Sequence, residues 1–382
     1  MGNPRDLLAT VCFGLATVQA LSSVRLKFIL EKFKVPDFLF EVETIYFSWA
    51  LIFLSLGLIF DFRATLSDAA SLHLRGALSI MFLIIIFSSA RSIVAIDGLF
   101  DSGSRWVHKI LIFFTRSPRE FSPSRVHFAF VLIVGPLLGS LITEPAAMLV
   151  TAVILRRRYL CQPVSEKFRY MIFAVLFVNV SVGGALTSFA APAIVVVASK
   201  WGWSSQFMFE LFGWKCVEAV IVTAVWLTVR FSNEIQGITA DFEGGVTSGR
   251  WEAVKIGLRL AGFLIALEIL MSHQGWWISG LLTGTTGTWL YPGTMALTSI
   301  LDNAVITSLG SQVTTMGPSE RYYLVAGSLV GGGLTLLANA PNLIGFRILH
   351  NAGSDDGKWS HSAFLRASLV PTLIAALALL IY

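Results

Sequence analysis

The chain has 382 residues, of which 55% are hydrophobic and 13% charged, with a net charge of +5. Soluble domains carry about 25% charged residues, so there is too little polar material here to clothe a soluble core, and the composition defines a polytopic α-helical membrane protein. The basic residues sit in loops beside apolar segments, as membrane orientation requires, which gives no reason to expect a nucleic-acid partner; Cys12, Cys161 and Cys216 are isolated and the six histidines lack ligand spacing, so no disulfide framework or metal motif is indicated.

Residues 6–22 follow only Arg5 and show no small-residue cleavage site, so a first membrane helix is predicted over roughly 6–23 rather than a signal sequence. Further spanning stretches are predicted at roughly 39–60 and 76–97, separated by a short, nearly neutral loop 61–75. Arg25, Lys27, Lys32 and Lys34 mark the first loop as cytoplasmic, and Arg105, Lys109, Arg116, Arg119 and Arg125 do the same for loop 98–125. Segment 126–156 is apolar but broken at Thr143-Glu144-Pro145, and Arg156, Arg157 and Arg158 follow it. Basic loops at both of its ends are incompatible with a single crossing. A re-entrant hairpin with its tip near Glu144 resolves the conflict, provided that the tip packs on protein or lines a wet cavity.

Spans follow at 169–200, 206–230 and 253–272, with a mixed-charge loop at 231–252. The stretch 276–317 is interrupted by Gly284, Gly287, Pro292 and Gly293, then by Asp302-Asn303, and is predicted to be a second hairpin. Spans at 321–349 and 363–382 complete the chain, with Arg347, Lys358 and Arg366 on the cytoplasmic side. Counted this way, the two halves come out inverted: scaffold helices over 1–100, a first transport repeat over 101–230, a loop over 231–252, and a second repeat over 253–382.

A near-duplication supports this organisation. Residues 183–192 read GGALTSFAAP and residues 331–341 read GGGLTLLANAP, with Gly183, Leu186, Thr187 and Ala190 matching Gly331, Leu334, Thr335 and Ala338 at a constant offset of 148. Paired Gly/Pro interruptions in corresponding apolar segments are the mark of a secondary transporter. Gly183, Gly184, Gly332 and Gly333 loosen a helix, and Pro145, Pro192 and Pro341 restart one. The freed carbonyls and the hydroxyls of Thr187, Ser188 and Thr335 suit a bare alkali cation, or the amides an anion; close helix packing is the alternative use of such residues.

Glu144 and Asp302 lie deep in apolar context, where a carboxylate is costly and usually functional. Such a group holds either H⁺ or Na⁺ but not both, which under alternating access gives exchange; helix capping is the alternative role. Thr143, Thr187, Ser188, Asn303, Thr335 and Asn339 are expected as neutral ligands, and Na⁺ is expected at Asp302 and Glu144. Glu41, Glu43, Asn179 and Glu268 are lesser candidates, and Arg91 is expected to snorkel from a helix end. There is no Walker A pattern, HExxH or GxSxG, which argues against an enzyme.

The motifs around Glu144-Pro145-Ala146-Ala147-Met148, Gly183-Gly184-Ala185-Leu186-Thr187, Leu301-Asp302-Asn303-Ala304 and Gly332-Gly333-Leu334-Thr335, with Ala338-Asn339-Ala340-Pro341-Asn342, resemble a bacterial sodium/proton antiporter family. That family is similar in turn to the ion transporter superfamily of arsenite permeases and dicarboxylate/sodium symporters. The likeness covers about 125–350 well and the N-terminal third weakly. It implies hairpin tips and unwound helices that hold substrate and ion, a homodimer whose interface falls on 6–97, no cofactor, and a place in the bacterial inner membrane among lipid. The superfamily's Ser-Asn-Thr triplets are replaced here by Thr143-Glu144-Pro145 and Asp302-Asn303-Ala304. These carboxylates favour cations and would repel a dicarboxylate; neutral arsenous acid stays compatible. The expectation is therefore Na⁺/H⁺ antiport. The alternatives are a sodium-coupled carrier of a small solute and a non-transporting membrane subunit.

Overall fold

The computed structural model describes residues 2–30, 36–72, 74–116, 121–238, 250–350 and 359–381, and every regular element among them is helical. Lys32, Lys34, Arg119, Lys358 and residues 239–249 of the 231–252 loop lie outside the described residues. The chain begins with α1 (Pro4–Leu30), α2 (Val42–Phe60), α3 (Phe62–Ala70), α4 (Leu74–Phe87) and α5 (Ala90–Thr115). It continues with α6 (Pro123–Ile142), α7 (Glu144–Leu155), α8 (Glu166–Gly183), α9 (Pro192–Trp201), α10 (Ser205–Met208), α11 (Trp214–Arg230) and α12 (Ser232–Gly237). The last part holds α13 (Arg250–Met271), α14 (Gly275–Leu282), α15 (Gly287–Thr298), α16 (Asn303–Gly310), α17 (Pro318–Gly331), α18 (Ala340–His350) and α19 (His361–Ala378).

Among the described residues, six helices are long and apolar enough to cross a membrane: Pro4–Ser23, Val42–Phe60, Pro123–Ile142, Glu166–Leu186, Ser205–Arg230 and His361–Ala378. Two predicted loops are corrected. Helix α3 occupies most of 61–75, and α5 runs on to Thr115 through what the charges mark as a loop. Helix α5 carries a buried stripe of Ile93, Ile96, Asp97, Phe100 and Ser104, the spacing of one helix face. Asp101 within the stripe and Arg105 and Lys109 just after it mask the helix from a reading by hydropathy. Arg91 stands exposed at the start of this helix.

Helices α1, α2, α4 and α13 pack as one layer around Phe13, Tyr46, Phe53, Ile80 and Phe263. Tyr46 stacks edge-on to Phe263 at 5.7 Å and holds Thr17 at 2.9 Å through its hydroxyl. Helix α13 thus belongs by packing with the N-terminal helices. Helices α6, α7 and α8 share a second core, filled by Phe128, Phe168, Phe173 and Phe177. A third core joins α8, α9, α11, α17 and α19.

Helices α6 and α7 fold back on each other about Thr143. Gly135 lies against Thr151, and a Cβ at Gly139 would stand 3.4 Å from that of Ala147. The same register reaches the hairpin's open end, where His127 Nδ1 lies 2.7 Å from the Tyr159 hydroxyl. Arg158, in the π-helical segment Arg156–Leu160, ties this end to α5 through a two-point contact with Asp97 at 2.9 and 3.1 Å. The second tip is built differently. Helix α16 has only eight residues, and α15 packs chiefly along α17. Between the halves, α7 rests on α18 and α16 rests on α9.

Candidate functional site

Helix α8 unwinds after Gly183 and resumes as α9 at Pro192; α17 unwinds after Gly331 and resumes as α18 at Ala340. Each break meets one hairpin tip, and the bonds that join them repeat. Thr187 donates its hydroxyl to the Ser140 carbonyl at 2.6 Å, and Thr335 does the same to the Ser299 carbonyl at 2.7 Å. The Glu144 amide donates to the Ala190 carbonyl at 3.1 Å, and the Asn303 amide to the Ala338 carbonyl at 3.0 Å. A Cβ on Gly183 would come within 2.8 Å of the Pro136 carbonyl oxygen, and one on Gly331 within 2.5 Å of that of Met295. Both glycines are therefore fixed by close backbone approach.

These bonds align Thr143 with Asp302 and Glu144 with Asn303. The acidic residues of the two tips thus occupy neighbouring, non-equivalent positions. The sequence carries the same alignment in Leu138-Gly139-Ser140-Leu141-Ile142-Thr143-Glu144 against Leu297-Thr298-Ser299-Ile300-Leu301-Asp302-Asn303.

The two carboxylates do different things. Asp302 Oδ1 accepts from the Ala304 amide at 2.8 Å and Oδ2 from the Ala340 amide at 2.7 Å, so one side chain caps the starts of both α16 and α18. Glu144 is fully buried. Its Oε1 accepts from the Asn339 amide group, and its Oε2 has no hydrogen-bond partner among the described residues. Asn339 and Ala340 are consecutive, so the start of α18 joins the two carboxylates across the halves of the molecule. Thr143 Oγ1 and both amide atoms of Asn303 are likewise enclosed without partners. Thr143 also adopts φ +83°, a costly conformation for a β-branched residue, which lets α7 begin directly at Glu144.

The remaining expected ligands are engaged elsewhere. The Thr187 and Thr335 hydroxyls hold the breaks to the tips, and Ser188 pairs with Ser205 at 3.0 Å. Much of the freed backbone is also satisfied within the protein. Ser140 donates to the Gly183 carbonyl at 2.7 Å, and Asn342 donates to those of Gly332 and Thr335 at 2.7 and 2.9 Å. Asn179 is used for packing, bridging the Leu132 carbonyl and the Thr223 hydroxyl. Ser140 and Ser181 were not singled out by sequence reasoning, yet Ser181 joins the two broken helices by donating to the Leu329 carbonyl at 2.7 Å.

A cavity of about 260 Å³ adjoins the first tip and the start of α18. Pro145, Ala340 and Pro341, the residues next to Glu144 and Asn339, form part of its wall. Glu41, Glu43, Arg156, Arg259 and Arg347 supply its charges.

Spanning helices with two interrupted partners, meeting at buried carboxylates near a cavity with charged residues on its wall, are the architecture of a polytopic membrane transporter. The family described as "Putative Na+/H+ antiporter" matches residues 5–248 and 250–382, and the chain belongs to that family. No curated protein matches the chain.

Proposed function

We propose that the protein exchanges Na⁺ for H⁺ at Glu144, by competition of the two ions for one carboxylate under alternating access. The carrying observation is the Glu144 side chain, which is wholly buried, bonded on one oxygen to Asn339 from the other half, and without a partner on the second. A buried carboxylate needs a counter-charge or a proton. Sodium supplies the first, with Thr143, Asn303 and Asn339 as oxygen ligands; protonation supplies the second. Asp302 adds negative charge close by while holding α16 and α18 in place. Thr187, Ser188 and Thr335 serve in this reading as supports of the breaks.

The repeated tip-to-break bonds support two transport repeats of inverted topology, with α1–α4 and α13 as the layer against which they move. In this reading the cavity faces the side that the basic loops mark as cytoplasmic, since Arg156 and Arg347 line it.

The test is sodium-driven dissipation of an imposed ΔpH in liposomes containing the purified protein and an internal pH dye, with K⁺ as control. The expected result is a sodium-dependent signal that disappears in Glu144→Gln. Full exchange by that variant would sink the proposal. The arginines of the cavity favour one second reading, a sodium-coupled carrier of a small organic anion. Stimulation of sodium uptake by such an anion would support it.

A further inference from the structure

We infer that Glu43 is a further carboxylate of the ion path, passing protons between the cavity and Glu144; this rests on the exchange proposed above. Glu41 and Glu43 stand two residues apart at the start of α2, and both line the cavity. Their surroundings differ. Glu41 is clamped, with one oxygen on Arg259 of α13 and the other on Arg347 of α18 at 2.7 Å. Its charge is neutralised and its position fixed. Glu43 has an enclosed carboxylate oxygen with no hydrogen-bond partner among the described residues.

Glu43 shares the cavity with Pro145 and Ala340, which follow Glu144 and Asn339 directly. The charged groups around it come from the neighbouring elements: Glu41 on its own, Arg259 from α13, Arg347 from α18, Arg156 from the π-helical segment after α7 and Asp302 from the second tip. Asp302 and Arg347 act on it with opposite sign. An acid that serves only to hold structure would be paired as Glu41 is. An acid oxygen without such a partner, on the wall of a cavity large enough to hold water that also touches the residue after Glu144, is suited to relay. A proton released from Glu144 passes through water to the Glu43 carboxylate and from there to the cavity. Glu43 then returns to its starting state, Glu144 is left as a carboxylate that can take Na⁺, and one proton has moved to the cavity with no other bond changed.

The test compares Glu43→Gln and Glu43→Asp with the wild type and with Glu144→Gln in the liposome assay, recording exchange rate, sodium half-saturation and pH profile. Glu43→Gln is expected to slow exchange about a hundredfold or more, the lower end of what a positioned proton carrier contributes. Its sodium half-saturation should stay within about twofold while the pH profile shifts, since a relay touches the proton and not the cation. Glu43→Asp should regain most of the rate. A wild-type rate and pH profile in Glu43→Gln would overturn the inference. Equal slowing in both variants with an unchanged pH profile would overturn it as well, leaving a structural role. Exchange lost in Glu144→Gln but intact in Glu43→Gln defeats this inference alone, whereas a wild-type protein without exchange defeats the reading at Glu144 and this one with it.

Discussion

The two hairpin tips bind their broken helices through the same bonds yet put the acid one residue apart, and the reason lies in the helix start that each faces. In the second half, α18 opens at Ala340, whose buried amide needs an acceptor, and Asp302 provides it at 2.7 Å. In the first half, α9 opens at Pro192, which has no N–H to satisfy. The residue aligned with Asp302 is therefore released from capping and is Thr143. The next position is then open to chemistry, and Glu144 sits there where the second half has Asn303. On the function proposed above, one scaffold yields a structural carboxylate and a chemical one, separated by whether a proline begins the facing helix.

The largest expected effect separates those two acids. Glu144→Gln should abolish sodium-driven proton movement, a loss of at least about a hundredfold for an essential proton-binding group, and leave thermal unfolding in detergent unchanged. Asp302→Asn should lose one of two amide bonds to a charged acceptor and destabilise the fold by about 1.5–3 kcal/mol, with exchange falling as the junction loosens. The reverse pattern, a stable and inactive Asp302→Asn beside a destabilised Glu144→Gln, would exchange the two roles and break the comparison.

A smaller effect tests the proline argument itself. Pro192→Ala creates a buried amide in the position of Ala340 and should cost about 1–3 kcal/mol if that group finds no partner. Adding Thr143→Asn supplies a neutral acceptor at the position aligned with Asp302, so the double variant should recover most of the loss in an unfolding titration. Independent, additive effects of the two changes would show that Thr143 and Pro192 are not coupled as Asp302 and Ala340 are.

The break peptides, the hairpin at Thr143 and the two acids were legible from sequence because each interrupts an apolar run, and interruption is what a hydropathy reading detects. The roles of the acids were less legible. Matching Glu144 with Asp302 follows from looking for charge, whereas the Leu-x-Ser frame around Ser140 and Ser299 gives the alignment shifted by one. The capping by Asp302 depends on which helix start the fold brings to it, a contact 38 residues away in the chain that no local pattern encodes. Helix α5 was read as a loop because its charges outweigh a narrow buried stripe. Glu43 was set aside as interfacial because nothing in its neighbourhood along the chain announces the cavity that α7, α13 and α18 close around it.

The smallest effects concern the two threonines. As cation ligands, Thr187 and Thr335 would change sodium affinity when converted to valine. As braces they would not, because each hydroxyl donates to a hairpin carbonyl at 2.6 or 2.7 Å. Valine keeps the shape and removes that donor, so each substitution should cost about 1 kcal/mol of stability. The two costs should also be similar, since the bonds are equivalent between the halves. Sodium half-saturation in liposomes should then stay within about twofold of wild type, the change expected where no ion contact is lost. A markedly weaker sodium response in Thr187→Val alone would return that hydroxyl to the ion site and make the first half, already the home of Glu144, the sole seat of the cation. A weaker response in both variants would spread the site over the two breaks together.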